Sequence, residues 1–97
     1  MKKPLLPLAL ALIMAAAGPA AADCYADYKA KQESPLRLHY GVIKLPDGAC
    51  ADRGAAGAEI DRRIGRGGWQ LLNVMSIFGE DGLQERKASA GAYFLRY

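Results

Sequence analysis

Few side chains in this sequence are placed to do chemistry, and each has a plainer role beside the chemical one. His39 is the only histidine. Zinc takes three or four His, Cys or carboxylate ligands, and both cysteines have another use, so no metal site and no cofactor are expected. A general base needs a nucleophile beside it, yet Ser34, Ser76 and Ser89 stand in no recognisable nucleophile context. His39 therefore reads as a surface residue on a strand, on the same face as Arg37. Its chemical alternative is a small-ligand or hydrolytic pocket shared with Trp69. Glu80, Asp81 and Glu85 have the composition of paired carboxylates, but a glycine-flanked acidic tip reads as a solvated turn.

Arg62, Arg63 and Arg66 form the densest basic cluster. They fall at the end of a predicted helix, where positive charge complements the helix dipole by some tenths of a kcal/mol. The functional alternative is an anion-facing surface, completed by Arg86, Lys87 or Arg96 and directed at lipid head groups, a cell-wall polymer or an acidic partner. Five tyrosines are many for so short a chain. A sheet face displaying several of them, Tyr93 included, would suit a peptide or glycan partner. Trp69 follows two glycines and opens an apolar run, which makes it a core anchor packing on the helix.

Cys24 and Cys50 are the only cysteines. A catalytic dithiol is usually a Cys-x-x-Cys at a helix start, and these two are far apart, so they read as a structural disulfide. Closing a loop of about 27 residues is worth roughly 3.5 kcal/mol in the chain-entropy model. That matters for a domain whose core alone supplies about 3–5 kcal/mol.

The compartment follows from the first 22 residues. Lys2 and Lys3 precede an apolar run from Leu8 to Ala17, and Gly18-Pro19-Ala20-Ala21-Ala22 supplies small residues for a peptidase. We expect a cleavable signal peptide at 1–22, cut after Ala22, and export to the periplasm or beyond, where disulfides form. Pro4, Pro7 and Pro19 interrupt the run, which argues against a permanent membrane span. Cys24 invites a lipoprotein reading, but Asp23 stands where lipidation needs a small residue. The formal net charge of +3 counts 13 basic and 10 acidic residues. Without Lys2 and Lys3 the remainder is nearly neutral, unlike the one-signed excess of a nucleic-acid binder.

The elements that must position these residues occupy 23–97, which suits a single small domain. Asp23–Glu33 reads as a short helix capped by Asp23 and stopped by Pro35. Leu36, Leu38, Tyr40 and Val42 alternate with Arg37, His39 and Gly41 as a half-buried strand running to Leu45. Pro46-Asp47-Gly48 is a turn. Ala56, Ile60 and Ile64 repeat at helical spacing within 49–64, with Gly54 and Gly57 delaying the start to about Ala55. One of Gly65, Gly67 and Gly68 supplies a left-handed cap. Trp69–Phe78 is apolar on both faces and reads as a central strand. Gly79–Gly82 is a turn, Leu83–Ala90 a short helix, and Ala92–Tyr97 a final strand.

The run Ile60-Asp61-Arg62-Arg63-Ile64-Gly65-Arg66-Gly67-Gly68-Trp69-Gln70-Leu71-Leu72-Asn73-Val74 resembles the centre of a small bacterial family, domain of unknown function 4177, across residues 36–97. The family pattern is a helix ending in a Gly-Trp-Glu-Leu-Val-like strand; here Gln70 replaces the glutamate, and the Cys24 segment and leader are additions. The resemblance implies a strand-helix-strand-strand order and no particular activity.

The reading that results is an α+β domain. A small three-stranded, mainly antiparallel sheet packs against one main helix in β-α-β-β order, with an N-terminal helical segment tied on by Cys24–Cys50. The expected role is a non-enzymatic interaction or structural module of the cell envelope, self-associating through the C-terminal edge strand or binding an envelope component. The alternative is the pocket near His39 and Trp69.

Overall fold

The computed structural model describes residues 24–97, and the expected leader and Asp23 lie outside them. Cys24–Gln32 is a strand, β1, not the expected helix. Its residues alternate: Cys24, Ala26, Tyr28 and Ala30 share one face, and Tyr25, Asp27, Lys29 and Lys31 the other. Alanine and lysine favour a helix in isolation, but the two-residue period and pairing on both sides override that preference. A turn with Ser34 at φ 67° and a cis Ser34–Pro35 bond leads into β2, Arg37–Leu45. β2 runs antiparallel to β1, from Gln32↔Arg37 to Cys24↔Leu45.

A 3-10 turn at Asp47–Cys50 brings Cys50 back to the start of β1. The Cys24–Cys50 disulfide forms there, with Cα atoms 6.2 Å apart. Helix α1 spans Arg53–Gly65, beginning two residues before Ala55 because Asp52 Oδ1 accepts the Ala55 N–H at 2.8 Å. Ala56, Ile60 and Ile64 are completely buried, and covering each isoleucine is worth about 1.5–3 kcal/mol. Gly68, at φ +85°, makes the left-handed turn that ends the helix. The Gly67 and Trp69 N–H groups both return to the Ile64 carbonyl, at 3.0 and 3.2 Å.

β3, Gln70–Phe78, pairs antiparallel with β1. The sheet order is β2-β1-β3, so β3 is an edge strand rather than the central one, and β1 takes the centre. After a 3-10 turn at Glu80–Gly82, helix α2 covers Gln84–Ala90. The expected final strand at Ala92–Tyr97 is replaced by a 3-10 turn at Gly91–Tyr93 and a single parallel bridge, Val42↔Phe94. Leu95, at φ 55°, cannot continue an extended ladder. The fold is α+β with a three-stranded antiparallel sheet, as expected, but its order is β-β-α-β-α.

One sheet face carries the main core, where Ala26, Tyr28, Ala30, Ile43, Leu45 and Val74 meet Ala56, Ile60, Ile64 and Trp69. The other face meets α2 through Arg86. The C-terminal segment passes along the outer edge of β2, where the Leu95 N–H donates to the Val42 carbonyl at 2.8 Å. No described helix is long and apolar enough to cross a membrane.

Candidate functional site

The sheet gathers chemistry-bearing side chains at two places, one on each face. On the α1 face, β2 presents His39 to a box of rings. Tyr93 stacks on the imidazole with centroids 3.7 Å apart, Trp69 meets it edge-on at 4.3 Å, and Tyr28 edge-on at 5.3 Å. Tyr97 lies beyond, 6.4 Å from both His39 and Tyr93. Arg37 sits over Trp69, and Arg96 over Tyr93 and Tyr97.

His39 is 8 % exposed, so it is an interior residue and not the expected surface one. Nε2 shares a 3.0 Å hydrogen bond with the Tyr28 phenol, and Nδ1 is buried with no partner among the described residues. Burial, seconded by the charge of Arg96, pulls the imidazole down to about 4, so it is neutral at neutral pH. Burial pushes the Tyr28 phenol up, and the neighbouring Tyr97 and Tyr93 add to that. His39 and Trp69 are in direct ring contact, and Tyr93 packs against both.

On the opposite face Asp27 is 6 % exposed, a buried carboxylate in the central strand. Ser76 Oγ donates to its Oδ1 at 2.6 Å, while Tyr40 Oη and Arg86 Nε donate to Oδ2 at 2.8 and 3.1 Å. Burial raises the carboxyl, but these three donors outweigh it and hold it below the ordinary carboxylate range. Tyr40 is pushed up to about 12 by burial and by its bond to Asp27. Arg86 also stacks on Phe78, 3.9 Å from the ring centroid, and donates to the Gly82 carbonyl at 2.7 Å. Beside this network an open cleft of about 430 Å³ is lined by Asp27, Tyr40, Met75, Glu85, Arg86 and Ser89.

The basic cluster does not converge. Arg62 returns to Glu59 at 2.8 Å. Arg63 is turned inward, donating to the Lys44 carbonyl and the Tyr97 main-chain oxygen at 2.8 Å each. Arg66 is exposed at the end of α1. Arg86, one of the residues expected to complete an anion-facing patch, lies on the other face with Asp27. The tyrosines are divided as well: Tyr28, Tyr93 and Tyr97 surround His39, while Tyr40 belongs to the Asp27 network. Among the described residues, no three His, Cys, Asp or Glu side chains come together as a metal site.

Sequence reasoning missed the Asp27 network. Its one local signal was an aspartate within an alternating strand; Ser76 and Arg86 are 49 and 59 residues away. Set against known proteins, the chain matches no family model, no curated protein and no solved structure.

Proposed function

We propose that this chain is an exported, non-enzymatic interaction module of the cell envelope, working through the part of the sheet that α2 leaves open. One observation supports this above others: the polar groups suited to catalysis are engaged internally, while apolar and basic groups stand outside. Asp27 is held by three donors and His39 by four rings. Leu36 and Leu38 are 66 % and 65 % exposed. Leu38 pairs with Lys31 of β1, on the same α2 side of the sheet as exposed Lys29 and its partner Asn73.

The occupant that fits is a polypeptide segment carrying carboxylates beside apolar side chains. Leucine area supplies the burial, and Lys29 on the central strand supplies the complementary charge. The disulfide and the leader support export. The resemblance to domain of unknown function 4177 adds a helix-to-strand junction but no activity.

Export is tested by the intact mass of protein recovered from the periplasm, with and without reductant. The reading expects a chain beginning at Asp23 with both cysteines oxidised; a retained leader or a lipid on Cys24 contradicts it. The surface is tested with Leu38→Glu, which should weaken capture of the cognate partner about tenfold or more while leaving the fold intact. Unchanged capture would move the contact elsewhere.

The cleft supports a second reading, binding of a small polar ligand. Its volume falls within the range of small-molecule sites, about 300–1,000 Å³, and Tyr40, Arg86 and Ser89 offer polar atoms to it. The ligand reading thus moves from His39 and Trp69 to the opposite face. Ligand-induced NMR shifts should centre on Ser89 and Met75; shifts centred on His39 would restore the original placement.

A further inference from the structure

The two edges of the sheet are treated differently. Along β2 the C-terminal segment covers the edge, bonding Leu95 to Val42 and bridging Val42 with Phe94. β2 also carries Arg37 and Lys44, and charges keep edge strands from pairing with foreign strands. β3 has neither protection. Among the described residues it pairs only with β1, and its sequence, QLLNVMSIF, contains no charge and no proline.

Two details show which part of this edge is open. At the Gln70 end, Asp61 Oδ1 accepts the Leu71 N–H at 3.1 Å, which occupies that position. Past it, the ladder with β1 shifts register twice, and Leu72 and Met75 are the β3 residues left without a Cα partner on β1. These same two are the exposed large apolar residues of the strand, at 48 % and 38 %. The bulges thus fall at the two exposed apolar residues of an uncharged strand, Met75 standing beside the cleft lined by Glu85 and Arg86.

We propose that two copies of this chain pair antiparallel through the open stretch Leu72–Phe78 of β3, about a twofold axis, joining their sheets into one continuous sheet. A second copy is the occupant that fits. A strand with no charge meets its own image without like-charge repulsion. With the axis at the middle of the open stretch, Met75 faces Met75, and Leu72 faces Phe78. This contact uses the edge of the sheet and does not depend on the partner surface around Leu38.

The test is light scattering on the oxidised, processed protein from about 1 µM to several hundred µM, a range that spans weak and strong dimers. Twice the chain mass is expected at the upper end, with concentration-dependent protection of β3 amides from hydrogen exchange. Met75→Lys puts two like charges in apposition and should weaken association about tenfold or more; Leu72→Lys should act in the same direction. Both positions are exposed, and circular dichroism verifies that each variant folds. Leu38→Lys, at a more exposed leucine away from β3, should leave the dimer intact. A monomer at every concentration overturns the proposal. So does a dimer that survives both β3 lysines or is dissociated by Leu38→Lys.

Discussion

The phenol of Tyr28 occupies the space where a Cβ on Gly41 would stand: such a carbon would lie 2.5–2.8 Å from three of its atoms. The two residues are direct cross-strand partners, and the glycine lets the ring cross β2 to reach His39. Gly41→Ala should force this buried ring to move, break the Tyr28–His39 hydrogen bond and cost about 2–4 kcal/mol. Urea unfolding measures the loss. A change below about 0.5 kcal/mol would mean the ring is not confined as described.

Asp27 and Arg86 tie α2 to the central strand. Removing the guanidinium leaves a buried carboxylate with Ser76 and Tyr40 alone, so Arg86→Met should cost about 2–4 kcal/mol. It should also raise the Asp27 pKa, which carboxyl NMR titration can follow. The double variant Asp27→Asn/Arg86→Met should lose less than the two single losses summed. Strict additivity would show that the pair does not act as a unit.

Acid should weaken the fold in two stages. His39 titrates near 6.5 when unfolded and near 4 when folded, so above pH 6.5 neither state binds the proton. As pH falls from about 6.5 to 4 the unfolded chain takes up a proton that the folded one refuses, and stability drops by about 1–3 kcal/mol. Arg96 beside the ring box opposes charging it further. The Asp27 contribution is present above its unfolded value of 3.8 and is lost below it, as the carboxylate protonates. Denaturation at pH 7, 5 and 4 should give a slope that His39→Gln flattens; an unchanged slope in that variant would exclude His39 as the cause.

The disulfide pins the start of the central strand to the turn before α1, across a separation of 26 residues. Reduction, or replacement of both cysteines by alanine, should lower stability by about 2–4 kcal/mol. Thermal unfolding with and without reductant reads this directly. An unchanged midpoint would show that packing of β1 alone holds this corner.

What the sequence made legible depended on how locally each feature was determined. α1 was readable because Ala56, Ile60 and Ile64 line up at helical spacing and Gly68 ends the helix within the same stretch. β2 was readable as a strand from its alternation, but its buried face was not: Leu38 is exposed, while His39 and Gly41 face the interior. β1 was not legible because Cys24, Tyr25, Tyr28 and Ala30 also fit one face of a helix; pairing on both sides selects the alternation of Cys24, Ala26, Tyr28 and Ala30 instead. β3 looked central because both faces are apolar; in the fold its bulged residues Leu72 and Met75 are exposed, so apolar content did not mark a buried strand. Tyr93 and Tyr97 belong to a segment that alternates like a strand, yet their rings serve the His39 box. The Asp27 network joins residues on β1, β2, β3 and α2, a convergence set by tertiary packing that no window of sequence contains.

The central claim, that the open part of the sheet meets a protein partner in the envelope, is tested most directly by site-specific photo-cross-linking in cells. A photoreactive residue at Leu38 should yield a discrete heavier adduct, whereas the same residue at Arg62 on α1 should not. An adduct at Arg62 with none at Leu38, or none at either position in a correctly exported and oxidised protein, would contradict the account.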